Sequence, residues 1–131
     1  MGRHKNRDLR PTESELEILN ILWKHKKATV RQVHEDLGEH KSSGYTTTLK
    51  LLQIMFEKKL VRRDERAKSH IYEAAITQEK TQTLFLGRMI QTLFGGSPSH
   101  LILQALGDHS PSQEELERIE EVIGQLKKQG R

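Results

Sequence analysis

The chain has 131 residues, of which 34% are hydrophobic and 31% charged, with a net charge of +4 and no cysteine. The length fits one domain or a small domain with an appendage, and the missing cysteine excludes disulfides, thiolate metal sites and cysteine nucleophiles. The charge is uneven: residues 1–75 carry 16 Lys and Arg against 11 Asp and Glu, and residues 76–131 carry 6 against 7, which suggests a polyanion-binding front and a back half with another task.

The start, MGRHKNRDLR, lacks the apolar run of a signal peptide, and Asn6 breaks the myristoylation pattern. No apolar run approaches membrane-spanning length. The expectation is a soluble cytoplasmic protein without membrane insertion.

Residues 1–11 are expected to form a flexible basic arm that includes Arg10. Thr12 and Glu15 have capping-box spacing, and Leu16, Ile18, Leu19, Leu22 and Trp23 make a helical stripe, so a helix is expected over 13–25. Thr29 and Gln32 repeat that spacing before Val30, Val33 and Leu37, with Gly38 as a stop: a short helix over 30–37. A third helix is expected over 45–58, capped by Ser42 or Ser43. Two extended stretches, 60–64 and 70–75, flank the charged ERAKS and read as a β-hairpin with a basic tip. Thr77 should cap a long helix, GGSPS should break it, and Ser97-Pro98 and Ser110-Pro111 should each start another. The fold class is therefore mainly α: a winged helix-turn-helix (three helices plus a β-hairpin wing) over 12–76, then a helical region over 77–131.

The third helix opens on three threonines, which are mediocre helix formers. At about 100° per residue, Tyr45, Thr48, Leu49, Leu52, Met55 and Phe56 share the face expected to pack on the first two helices. Thr46, Thr47, Lys50 and Gln53 then point outward, with Ile54 and Glu57 further along. Thr48 should bury its methyl and bond a backbone carbonyl. Outward hydroxyls, an amide and a lysine in the first turns suit the major groove, where they can meet phosphates, base edges and thymine methyls. In helix-turn-helix proteins this end of the second motif helix does the reading. Arg62, Arg63, Arg66, Lys68 and His70 on the hairpin suit phosphate contacts, and Arg10 with the arm suits the backbone or the minor groove.

These motifs, LRPTESELEILNILWKH, TVRQVHEDL, YTTTLKLLQIMFEKKLVRR and HIYEAAITQEK, resemble the BlaI/MecI-type penicillinase-repressor family, which includes the copper-responsive CopY type. The resemblance covers about residues 9–127. It implies a winged-helix repressor whose C-terminal helices interlock a homodimer. It further implies palindromic operators of TACA/TGTA half-sites, often upstream of β-lactamase or metal-handling genes. It also implies induction by a sensor-linked protease cutting near Gln104 and Ala105. Position 54 is Ile where that family commonly has a basic residue, and position 59 is Lys where a helix-ending glycine is usual. The Asn-Phe pair of the best-known cleavage sites and the cysteine pairs of the copper type are absent.

Seven histidines (4, 25, 34, 40, 70, 100 and 109) are scattered without ligand spacing, so no metal or cofactor is expected. No phosphate loop, nucleophile elbow or acid pair points to an enzyme. The apolar surfaces of the last three helices are too large to leave in water, so they either pack on a second copy or fold back on their own winged domain, and the first is favoured because that domain already has its own core. Leu84, Met89, Ile90, Leu93, Phe94, Leu101, Leu103, Leu106, Leu116, Ile119, Val122 and Ile123 are the expected dimer interface. The reading is a homodimeric transcriptional repressor on double-stranded DNA, tied to β-lactamase, antibiotic-resistance or stress genes. The alternative is a winged-helix adaptor without specific DNA binding, and a metal-sensing repressor is the weaker third option.

Overall fold

The first turn of a helix leaves backbone N–H groups without partners, and two side-chain pairs solve this in the same way at the front of the chain. The Thr12 hydroxyl accepts from the Glu15 N–H at 3.2 Å while the Glu15 carboxylate accepts from the Thr12 N–H at 2.9 Å. Thr29 and Gln32 repeat the exchange at 3.2 and 2.8 Å. These boxes start α1 (Glu13–His25) and α2 (Val30–Leu37). The computed structural model describes residues 10–38 and 44–130.

The third helix, α3 (Tyr45–Glu57), starts differently: its N-cap is Gly44, with no side-chain hydrogen bond. The expected caps Ser42 and Ser43 lie outside the described residues. Next come β2 (Val61–Asp64) and β3 (Ile71–Ala74), paired antiparallel with Arg63 opposite Tyr72. A two-residue strand that the sequence did not announce, β1 (Ala28–Thr29), pairs with β3 and completes a sheet of order β1-β3-β2. Thr29 serves both roles because an N-cap residue is itself extended, here at φ −82° and ψ 168°. Three helices and this sheet make a winged helix-turn-helix.

The core draws on every element of the wing unit: Ile18, Leu19 and Leu22 from α1, Val33 from α2, Leu52 and Met55 from α3, Val61 from β2 and Tyr72 from β3. Two polar links brace it. The Trp23 indole N–H donates to the Ile76 carbonyl at 2.9 Å and ties the end of the hairpin to α1. The Lys58 ammonium donates to the buried Glu15 carboxylate at 2.7 Å and ties the end of α3 to the start of α1.

The end of α3 is a Schellman turn. The Leu60 N–H reaches the Met55 carbonyl at 2.9 Å, and the Lys59 N–H reaches Phe56 at 3.0 Å. That motif needs a left-handed residue at position 59, and Lys59 stands there at φ 69°. The strain anticipated from lysine in a glycine position is present.

The helical region holds α4 (Gln78–Leu93), α5 (Pro98–Asp108) and α6 (Gln113–Gln129). Thr77 caps α4 through the Lys80 N–H at 3.0 Å. Gly95 and Gly96, both left-handed at φ 58° and 80°, end the helical path before Ser97 caps α5 with Pro98 in its first turn. The last start differs from the Ser110-Pro111 expectation. Ser112 is the cap, forming a full box with Glu115, and Pro111 precedes it. A box satisfies two backbone donors reciprocally, which a serine before proline does not. The chain divides into two compact units, Met1–Leu86 and Gly87–Arg131, with α4 running through the boundary.

Replacing Lys59 with glycine removes the left-handed strain. Lys59→Gly should raise stability by about 1 kcal/mol and Tm by roughly 4 °C, measured by thermal unfolding followed by circular dichroism. An unchanged or lower Tm would show that Lys59 carries no strain.

Candidate nucleic-acid interface

One inward line sets the rotation of α3. Thr48 is 3% exposed, and Leu52 and Met55 are fully buried. At about 100° per residue this turns Thr46, Thr47, Lys50 and Gln53 outward, and all four are exposed. Ile54, in line with them, is exposed as well. The result is a polar outer face with one apolar residue at its far end.

The partner of Thr48 differs from the expected backbone carbonyl. Its hydroxyl lies 2.9 Å from Nδ1 of His34 on α2. Tyr45 also departs from expectation. The helical wheel places it in the core, but it is 43% exposed, because a first-turn residue can overhang the helix it would pack on. Its ring meets the His34 ring edge-on, with centroids 5.8 Å apart, and the Arg31 guanidinium lies 5.9 Å from its centroid.

The wing arginines have neighbours of opposite charge. Arg62 Nε donates to Glu73 at 3.0 Å across the β2–β3 pair. Arg63 is bridged to Glu65 at 2.6 Å and stacks its guanidinium 3.9 Å from the Phe56 centroid. Arg66 grips Asp64 with two side-chain bonds of 3.0 and 2.9 Å and donates its backbone N–H to the same carboxylate at 3.0 Å. The Arg66 side chain, and then its backbone N–H, hold the Asp64 carboxyl well below the usual carboxylate range. Lys68 is exposed at the wing tip and has no acidic partner among the described residues. Arg10 lies with its guanidinium 5.4 Å from the ring of Phe85 on α4.

Thus Thr46, Thr47, Lys50 and Gln53 share one surface, and Arg62, Arg63 and Arg66 share another that their own carboxylates largely neutralise. Arg31 and Tyr45 were not among the sequence candidates. The position of Arg31 on α2, opposite the Val30–Val33 stripe, was the available signal.

Of the twelve expected interface residues, Leu84, Met89, Leu93, Leu103, Leu116, Val122 and Ile123 are exposed. Ile90, Phe94, Leu101, Leu106 and Ile119 are half-buried. Neither α5 nor α6 buries any residue. Between them runs an apolar groove of about 570 Å³ lined by Leu106, Ile119, Val122 and Ile123. Ile102 and Leu126, which the sequence alone did not assign to the interface, line it too. Gln104 and Ala105 sit in the middle of α5, Gln104 bonded to Asp108 at 3.5 Å and Ala105 on the groove wall. Among the described residues no three His, Asp or Glu side chains gather as a metal site, and no helix is long and apolar enough to cross a membrane.

A family model described as penicillinase repressor matches residues 11–125. A curated penicillinase repressor of Staphylococcus aureus is 17% identical over 123 residues, spanning 94% of this chain and 98% of the relative.

The threonines of α3 should separate cleanly by role. Thr48→Ala removes the hydroxyl that His34 faces and should cost about 1–2 kcal/mol of stability. Thr47→Ala should stay within about 0.5 kcal/mol of the parent. Urea denaturation of both variants decides the point, and equal losses would refute the assigned rotation of α3.

Proposed function

The chain belongs to the penicillinase repressor family, a family of winged-helix transcriptional repressors, and we propose that it acts as a homodimer on a palindromic operator through the outer face of α3. The observation that carries this is the exposed Thr46, Thr47, Lys50 and Gln53 set opposite buried Thr48, Leu52 and Met55. A helix about 10–12 Å across fits the major groove, where the N-terminal part of a recognition helix meets base edges. Glutamine can bond an adenine edge in two places, and threonine methyls pack on thymine methyls. That chemistry suits A·T pairs, as in TACA/TGTA half-sites. Lys50 adds charge toward phosphate.

The apolar groove between α5 and α6 supports the dimer. Seven of the twelve residues assigned to it face solvent in the single chain. Each such side chain gains roughly 1.5–3 kcal/mol when fully buried. A two-fold dimer presents two copies of α3, so its operator is an inverted repeat. Repression then follows from occupancy of the promoter, and induction from loss of the dimer. A cut between Gln104 and Ala105 by a sensor-linked protease would split α5 and remove one wall of the groove. The regulated genes on this reading are those for β-lactamase, antibiotic resistance or stress response.

A gel shift with the DNA upstream of the protein's own gene tests the reading. Preference over bulk DNA should survive at physiological salt, and its absence would leave the adaptor alternative standing. Thr47→Ala and Lys50→Ala should each weaken operator binding by about 1–3 kcal/mol, roughly 5- to 150-fold, while the dimer persists. Ile123→Asp should convert the dimer to monomer in sedimentation equilibrium and weaken operator binding with it. A monomeric parent protein at micromolar concentration would contradict the dimer.

A further inference from the structure

A second cleft opens beside α3, between the start of α2, the first turn of α3 and the wing tip. Arg31, Tyr45, Lys68 and His70 line it, with Thr29 and Ser69 between them, and its volume is about 260 Å³. Among the described residues, none of its lining is acidic. The cleft on the β2 side of the wing differs: Lys27, Arg62, Arg63 and Arg66 line it together with Asp64, Glu65 and Glu73. One cleft concentrates positive charge and hydroxyl donors with no carboxylate in its lining; in the other, three carboxylates pair with the three arginines and leave only Lys27 over.

We propose that the Arg31–Lys68 cleft is a phosphodiester site, holding a backbone phosphate of the duplex whose groove α3 enters. This rests on the DNA-reading function proposed above and names where the backbone is gripped. Arg31 and Lys68 supply charge from α2 and from the wing, and the Tyr45 hydroxyl adds a neutral donor. Arg31 is prepared for this. Its guanidinium stands over the Tyr45 ring, 5.9 Å from the centroid. Stacking of that kind orders the side chain and leaves its N–H fork free for an anion. The alternative grip, the wing arginines, requires a phosphate to displace carboxylates at 2.6–3.0 Å. Tyr45 also starts α3, so a phosphate held here fixes how deep the Thr46–Thr47 end sits in the groove.

Counterion release makes the site measurable. The slope of log affinity against log salt falls by about 0.9 for each phosphate no longer neutralised, so by about 1.8 for a dimer that releases one per protomer. The experiment titrates the full chain against two fluorescent duplexes, one carrying a TACA/TGTA inverted repeat and one scrambled, across a potassium chloride series. Arg31→Ala and Lys68→Ala should each lower the slope by that amount on the repeat and leave the affinity ratio between the duplexes nearly unchanged. Arg31→Lys should keep the slope, and Lys127→Ala on α6 should match the parent. Circular dichroism checks that each variant folds. Unchanged slopes for Arg31→Ala and Lys68→Ala, with tight parent binding, overturn the site and leave the DNA reading intact. A parent protein that binds neither duplex overturns both. Displacement of the duplex by inorganic phosphate beyond the chloride effect, abolished by Arg31→Ala, would assign the cleft to a free anion instead.

Discussion

The rotation of α3 about its own axis is the constraint on which the candidate interface depends. Thr48 fixes it. The methyl of a β-branched residue packs inward with Leu52 and Met55, and the hydroxyl needs a partner once water is excluded. His34 provides that partner at 2.9 Å. With Thr48 held inward, geometry leaves Thr46, Thr47, Lys50 and Gln53 no face but the outer one. An alanine at position 48 would keep the helix but loosen the angle at which it is presented. Poor intrinsic propensity matters least here, because the helix is nucleated by packing and starts from Gly44 without a side-chain cap.

Charge is arranged to match. The front of the chain is basic in total, yet its most conspicuous arginines are paired with neighbours on the same hairpin. Arg63 goes further and covers Phe56 with its guanidinium, joining the wing to α3. Positive charge without local compensation gathers instead around Arg31 and Lys68, at the end of α3 that carries the exposed threonines. A basic count in a segment therefore says little about which cations face outward to a partner; the pairing decides it.

Much of the architecture was legible because it is written in local chemistry. The Thr12–Glu15 and Thr29–Gln32 boxes place two helix starts to the residue, and the break in periodicity after Leu60 marks the wing. The strain at Lys59 follows from its place after the helix end. What escaped depends on tertiary partners. β1 is two residues long and exists only because β3 runs beside it. Tyr45 has a core position on the wheel but lies exposed beside Arg31 and His34 of α2. The His34–Thr48 bond joins residues 14 apart in sequence. At Pro111 two valid local signals competed, and the Ser112–Glu115 box prevailed. Lys50 and Gln53 were legible as outward residues from the wheel alone, whereas the neutralised wing was visible only once Glu73 lay across from Arg62.

The C-terminal helices leave an apolar groove open in the single chain, and in the proposed dimer that groove would give two copies of α3 a common frame. The central claim remains that the α3 face meets base edges in the major groove. The absence of cysteine allows a direct test. Thr47→Cys supplies a unique thiol, and duplexes can carry a disulfide-tethered base projecting into the major groove at chosen positions. The most direct measurement is the yield of protein–DNA disulfide as the tethered base is moved along the inverted repeat. The account expects yield to peak within each half-site and to fall away outside it. A flat profile, or a yield no higher than that of Glu117→Cys on α6, would contradict it.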